Sequence, residues 1–283
     1  GMVTRTLFAG LTVTSASAGR VLGRGFRSRL FSTVHKGFGG RLRLIISGAS
    51  SLRERYFQGF RNMGFDIVEG YGLTETFGPI TICPASDARL GLVGPVLDGN
   101  EMRIDNPGED GIGEVLFRGE TVFPGYYNNP EATAAVFDAQ GWFHTGDLGR
   151  IDKDGFIYLT GRSKDVIVLD SGKNVYPDEL EEYYRQSSCI GEIAVFGIRE
   201  QDREVVAALI VPSDDLRKGP PDTAREAIGR EIVRMGNALP TYKKIGAYAV
   251  VFDPLPRTTT RKLRKPEIRE IYRQARESTG PLY

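Results

Sequence analysis

The sequence has few of the features that would mark several common protein classes. Its 283 residues include only two cysteines, Cys83 and Cys189, which lie far apart and outside any metal-spaced or redox pattern. That excludes a disulfide framework and a thiolate metal site, and it suits a reducing compartment, so a cytoplasmic location is expected. No run of eighteen apolar residues occurs. A membrane-spanning helix is therefore not expected, and membrane contact would be peripheral at most. The formal net charge of +1 gives no overall attraction to nucleic acid, and no nucleic-acid-binding motif is present. Internal repeats and long low-complexity tracts are absent too. Acidic residues are missing from Gly1 to Arg53, a stretch that carries Arg5, Arg20, Arg24, Arg27, Arg29, Lys36, Arg41, Arg43 and Arg53. Such a start resembles an organellar transit peptide. It runs without a break into a strand pattern, however, and Phe26, Leu30, Phe31 and Val34 are spaced as the apolar side of a helix, so it reads as the solvent face of helices.

What is present divides the chain into three textures. The segment RLRLIISG (41–48) is an apolar run stopped by glycine. The segment SSLRERYFQGFRNMG (50–64) reads as an amphipathic helix capped by Ser50 or Ser51, and FDIVEGYG (65–72) as a second strand. A strand–helix–strand unit predicts parallel pairing, with functional loops at the strands' carboxyl ends. From about residue 91 to 162, short β runs alternate with turn residues, as in NPGEDGIG (106–113) and around Lys153-Asp154-Gly155, and predict a small antiparallel barrel or sandwich. After residue 163 comes a hairpin, VIVL (166–169) with NVY (174–176), and then Pro177 at the first turn of a helix. The strands EIAVFGI and VVAALIVP, a helix around 222–238 and YAVVFD complete a compact α+β module. The expected fold is thus α/β and α+β. By texture, residues 1–162 comprise a sheet subdomain over about 1–90 and the barrel over about 91–162, and residues 163–283 form a separate α+β domain.

Four motifs carry possible chemistry. In GYGLTETFG (70–78) two glycines free the backbone after a strand, and Thr74 and Glu75 offer a hydroxyl for a phosphate oxygen and a carboxylate for Mg²⁺. In GWFHTGDLG (141–149), Asp147 stands between glycines just before a new strand and suits two ribose hydroxyls. The stretch TGRSKDVIVLDSGKNVYPDELE (160–181) ends a strand at Gly161 and Arg162. The stretch LPRTTTRKLRK (255–265), read by composition alone, is a solvated basic tail.

In this order, the four resemble the adenylate-forming superfamily of acyl-CoA synthetases, peptide adenylation domains and luciferases. The likeness runs from about Gly39 to Lys265. It includes SGASSL (47–52), GEVLFRG (113–119) with PGYYNNPEAT (124–133), and LPTYKK (239–244). FHTGDLG and SGKNVYPDELE look most like bacterial long-chain fatty acyl-CoA ligases. The resemblance implies that ATP is used to make an acyl-adenylate from a fatty acid, and that coenzyme A then takes the acyl group. It places Gly48, Ala49 and Ser50 along the adenine, with Tyr71 and Gly72 beside it, Thr74 at the α-phosphate and Glu75 on Mg²⁺. It also places Asp147 and Arg162 at the ribose, Lys164 at the hinge of the rotating domain and Gly172 beside the coenzyme A channel. Lys262 falls on the lysine that bridges carboxylate and α-phosphate.

The chain departs from the family pattern in several places. The Ser/Thr/Gly-rich triphosphate loop ending in Pro-Lys is missing. LTVTSASAGR (11–20) does not replace it, because it lacks the inner glycines and the closing lysine and lies too close to YGLTET. The first half of the large domain is missing as well, so the chain reads as the C-terminal half of a ligase, weakly active or inactive alone. Its partners would be a fatty acid, the absent N-terminal half and, through the surface thereby exposed, a second copy in a homodimer. Thr260-Arg261 replaces the usual Ser-Gly before the lysine, which is expected to stiffen that loop. A non-catalytic module that binds nucleotide or acyl-adenylate on the same fold is the alternative.

Overall fold

The computed structural model describes residues 23–50, 52–259 and 261–279. The stretch LTVTSASAGR, Arg5, Arg20, the capping candidate Ser51 and Thr260 lie outside the described residues. The chain divides into two compact units, Gly1–Leu159 and Thr160–Tyr283.

In the first unit, helical residues 23–30 (α1) and α2 (Ser32–Gly37) lead into β1 (Leu44–Ser47), α3 (Glu54–Asn62) and β2 (Asp66–Leu73). β1 and β2 pair in parallel, with Leu44 opposite Asp66, as the strand–helix–strand pattern predicts. Helix α3 starts later than its sequence suggests. Its cap residue is Arg53 rather than Ser50, and no side chain caps it. The cause lies on β2, where the buried Glu69 carboxylate accepts the Leu52 N–H at 3.0 Å and the Gly91 N–H at 2.9 Å. That contact satisfies a loop amide through a residue far along the chain, which no local capping rule foresees.

A third strand, β3 (Gly78–Ile82), runs antiparallel to β2. It is short and carries Pro79, so its sequence gave little strand signal. Then β4 (Asn100–Asp105), β5 (Gly113–Gly119), β6 (Phe143–Ile151) and β7 (Ile157–Arg162) form a four-stranded sheet in chain order, antiparallel from β4 to β6. α4 (Pro130–Ala134) lies between β5 and β6, capped by the Asn129 side chain on the Ala132 N–H. Alternate residues of these strands point inward, and Ile80, Val93, Val115, Phe117 and Ile157 make the core that anchors the loops above it.

The second unit starts with the β8 (Ile167–Val168) and β9 (Asn174–Val175) hairpin, followed by α5 (Pro177–Tyr184) with Pro177 in its first turn. β10 (Ile190–Glu200) and β11 (Arg203–Pro212) pair antiparallel. α6 (Asp214–Arg217) and α7 (Pro221–Gly236) follow, and β12 (Ala247–Val250) joins β11 in parallel. The sheet is apolar on both faces. Ile193, Val195, Ala208 and Ile210 pack with Leu180 and Tyr184 of α5 and Ile228 and Ile232 of α7, while Ala194, Phe196, Ala207 and Leu209 pack with Ile268 and Tyr272. The last two belong to α8 (Lys265–Thr279), for which the sequence analysis named no element. Ile268, Ile271, Tyr272 and Ala275 recur at helical spacing, but the many charged residues around them hide the stripe.

The segment before α8 is a tight loop. Arg257 and Leu263 bridge antiparallel, the Thr258 N–H donates to the Lys262 carbonyl at 2.8 Å, and the Arg261 N–H donates to the Thr258 carbonyl at 2.8 Å. Arg261 closes it at φ 64°, a left-handed conformation that suits glycine. The loop thus keeps the turn a glycine would make and holds it under strain. Arg261→Gly is expected to stabilise the second unit by about 0.5–1 kcal/mol, as the steric cost removed exceeds the entropy glycine adds to the unfolded chain. Urea denaturation measures this, and a clear loss of stability would contradict the strain argument.

Candidate functional site

The GYGLTETFG segment is where β2 turns into β3. Gly72 sits at a register shift between these strands, and a Cβ there would meet the Gly78 carbonyl oxygen at 1.9 Å, so only glycine fits. The turn that follows, Thr74–Thr76, is pinned by a residue the motif reading passed over. The buried Thr76 Oγ1 accepts the Leu73 N–H at 2.9 Å and lies 2.7 Å from the Gly78 carbonyl, to which it donates. Phe77 ends the turn in the left-handed region, with φ 52° and 76 % exposure. Thr74 is left exposed and Glu75 half-buried at the tip.

Glu75 is held from a distant loop. The Phe123 N–H donates to the Glu75 carbonyl at 2.7 Å, and Tyr126 Oη donates to Glu75 Oε1 at 2.9 Å. Partial burial and the neighbouring carboxylate push the Tyr126 phenol above its ordinary pKa, so it remains a donor. Tyr126 belongs to PGYYNNPEAT, but nothing in its spacing announces contact with Glu75.

Asp147 lies inside β6, not ahead of a new strand as the sequence suggested. Between the pairs Glu114 with Leu148 and Leu116 with His144 the register shifts, so that β6 bulges over Val115. Gly146 at φ 69° makes the bulge, its N–H donating to Glu114 Oε1 at 2.8 Å. The bulge re-aims Asp147. Asp147 is 8 % exposed, its N–H donates to Thr145 Oγ1 at 3.0 Å, and Tyr71 Oη donates to Asp147 Oδ2 at 2.5 Å. The Tyr71 ring packs near Phe117, with centroids 6.0 Å apart. The structure therefore joins Tyr71 and Asp147, and joins Glu75 to Tyr126, on one unit. Gly48, Ala49 and Ser50 form the exposed loop after β1, where Ala49 takes φ 66°. A Cβ on Gly48 would meet the Gly70 carbonyl at 3.2 Å, which places this loop against the start of GYGLTETFG.

The remaining candidates belong to the second unit. Arg162 ends β7, and Lys164 lies exposed in the short turn Ser163–Asp165. Asp165 there pairs with Lys265 at the start of α8 at 2.7 Å. Gly172 is exposed at the β8–β9 turn with φ 77°, and open space surrounds it. Lys262 is exposed in the strained loop, its N–H on Thr258 Oγ1 at 3.1 Å.

Among the described residues, no group of three or more His, Cys, Asp or Glu side chains could hold a metal ion by itself. A Mg²⁺ ion carried on nucleotide phosphates asks for less, namely one or two carboxylates, with waters and phosphates completing the shell. Glu75 fits that role, since its Oε1 is engaged by Tyr126 and Oε2 is left for the cation. No helix among the described residues is long and apolar enough to cross a membrane.

Both parts of the chain are similar to known proteins. The family model described as AMP-binding enzyme matches residues 9–127, and that described as AMP-binding enzyme C-terminal domain matches residues 164–278. The long-chain-fatty-acid–CoA ligase FadD15 of Mycobacterium bovis is 41 % identical over 172 residues, which is 61 % of this chain and 28 % of that protein. The indoleacetate–CoA ligase of Aromatoleum aromaticum is 32 % identical over 240 residues, 81 % of this chain and 44 % of that one. Among solved structures, ATP-bound MatB from Rhodopseudomonas palustris superposes with TM-score 0.70 at 32 % identity, covering 88 % of this chain and 50 % of its own. The o-succinylbenzoate–CoA synthetase of Bacillus subtilis, in complex with ATP and a magnesium ion, gives 0.68 at 25 % identity, covering 85 % and 50 %. The chain thus spans half or less of the length of these relatives.

Proposed function

The chain belongs to the AMP-binding, adenylate-forming enzyme family and to its acid–thiol ligase lineage, and from that premise we propose that it carries the adenylate-binding and domain-rotation parts of a long-chain fatty acid–CoA ligase. The observation that carries the reading is the pairing of Tyr71 with a buried Asp147 on the same unit as the Glu75 turn. The two oxygens of a carboxylate offer several lone pairs, so the side chain that takes the Tyr71 hydroxyl can also accept ribose hydroxyls.

In this reading the SGASS loop and Tyr71 border the adenine, Asp147 and Arg162 take the ribose, Thr74 the α-phosphate and Glu75 the magnesium ion. When bound, Mg²⁺ supplies positive charge at the phosphates. Lys262 adds a point charge where the fatty carboxylate meets the α-phosphate, stabilising charge that grows in the transition state. Rotation about Lys164 then withdraws Lys262 and brings Gly172 beside the coenzyme A arm. Thiolysis expels AMP, so no covalent enzyme intermediate forms.

A triphosphate loop and an acyl-pocket wall would come from the part of the relatives that this chain does not span. The exposed Leu44 and Ile46 on β1, which has one strand neighbour among the described residues, support that division. Alone, the chain is expected to form little acyl-CoA from ATP, a long-chain fatty acid and coenzyme A. Joined to the N-terminal region of a related ligase, it is expected to turn over, and Lys262→Ala is expected to lower the adenylation step by about 100-fold or more, the scale seen when a transition-state charge partner is removed. A joined enzyme that forms acyl-adenylate equally well with and without Lys262 would contradict the assignment.

A further inference from the structure

Glu75 is braced by an arm whose own parts are fixed independently of it. The Tyr126 N–H donates to Thr133 Oγ1 in α4 at 2.9 Å, and Gly125, at φ 144°, passes so close that a Cβ would meet Thr133 Cγ2 at 2.6 Å. The Tyr126 ring meets Phe123 edge-on at 4.9 Å between centroids, and Phe123 packs in turn against Phe137 at 5.7 Å and Phe143 at 5.5 Å. Phe143 is buried in the sheet. The hydroxyl that reaches Glu75 Oε1 at 2.9 Å is therefore carried on a preset scaffold 51 residues away in the chain, and the Phe123 N–H fixes the Glu75 carbonyl from the same side. A flexible carboxylate at a turn tip would otherwise pay rotamer entropy each time it met a cation.

Resting on the reading of Glu75 as the magnesium ligand, we propose that Tyr126 is the positioning residue for that ligand: its hydroxyl engages Oε1 and fixes the carboxylate so that Oε2 is presented to the divalent ion carried on the nucleotide phosphates. Donors that hold a metal ligand from behind commonly set metal affinity by 10- to 100-fold. A plain structural tie between a turn and a loop would instead change stability, or nucleotide binding as a whole.

The test is calorimetric titration of the chain with ATP, once with Mg²⁺ or Mn²⁺ and once with the metal chelated, for the wild type, Tyr126→Phe, Glu75→Gln and the double variant. Thermal unfolding checks that each variant is folded. The wild type is expected to bind the metal–ATP complex more tightly than free ATP. Tyr126→Phe is expected to lose about tenfold of the metal-dependent gain with free ATP unchanged. Glu75→Gln is expected to abolish the gain, and adding Tyr126→Phe to it to change nothing more. Equal weakening of Tyr126→Phe with and without metal would overturn the proposal, as would an undiminished metal gain. ATP binding by the wild type with no metal gain overturns the role of Glu75 and the proposal, while leaving the nucleotide site standing. No ATP binding at all overturns the nucleotide-site reading and the proposal with it.

Discussion

Asp147→Ala is expected to weaken adenylate binding by about 100-fold or more while leaving the first unit folded. The magnitude follows from two ribose hydroxyls donating to the Asp147 carboxylate. Each is worth about 1.5–3 kcal/mol in a partly enclosed site, and about 3 kcal/mol in sum already exceeds a hundredfold in affinity. The backbone at this position is secured by other contacts, the Gly146 N–H on Glu114 and Thr145 Oγ1 on the Val115 carbonyl, so the bulge should survive loss of the side chain. Tyr71→Phe is a graded companion. It removes the donor on Oδ2 but keeps the ring beside Phe117, and should cost less than Asp147→Ala. A fall in affinity equal for the two variants would mean that Asp147 serves to hold Tyr71 and not the ribose.

The second large effect concerns stability and pH in the second unit. Glu181 on α5 is 4 % exposed, accepts the Val195 N–H at 3.0 Å and pairs with Arg185. Burial raises its pKa to about 7 from 4.5, and the nearby Arg185 guanidinium opposes this only in part. The sign follows from proton counting. Below pH 4.5 both folded and unfolded chains hold the proton, and the stabilising contribution is complete. Between 4.5 and about 7 the folded chain keeps a proton that the unfolded chain releases, so stability falls as pH rises through that window. A shift of this size bounds the loss at about 3 kcal/mol. The only histidines, His35 and His144, lie in the first unit, so imidazole titration does not overlap in the second. Glu181→Gln keeps an acceptor for the Val195 N–H and removes the charge. It is expected to flatten the pH dependence and to be more stable than the wild type by about 1–3 kcal/mol at pH 8. Denaturant unfolding of the second unit at pH 5.5 and pH 8 measures it. Wild-type stability rising over that interval would show that the Arg185 pair outweighs desolvation.

Local signals in the sequence account for much of what folds here. Glycine-stopped apolar runs marked β1 and β2, the hairpin turns around Gly155 and Gly172 were readable as such, and Pro177 marked the start of α5. The order of GYGLTETFG, GWFHTGDLG and the later motifs identified the family before any geometry was known. What the sequence hid depends on distance along the chain. Glu69 caps a loop from β2, and Tyr126 reaches Glu75 across 51 residues. The bulge that turns Asp147 inward is likewise a property of β5 against β6, not of β6 alone. Helix α8 was obscured for a different reason, since its four apolar positions stand among many charged residues and form a stripe only against the sheet face that they cover.

The most direct test is a calorimetric titration of the chain with a non-hydrolysable acyl-adenylate and Mg²⁺, beside Asp147→Ala. Saturable one-to-one binding by the wild type that disappears in the variant is the expected result, and it would establish that the adenylate half-site is formed within this chain. Absence of binding in both proteins, with both shown to be folded, would contradict that claim and would mean that the site is assembled only with the part of the enzyme that this chain does not span.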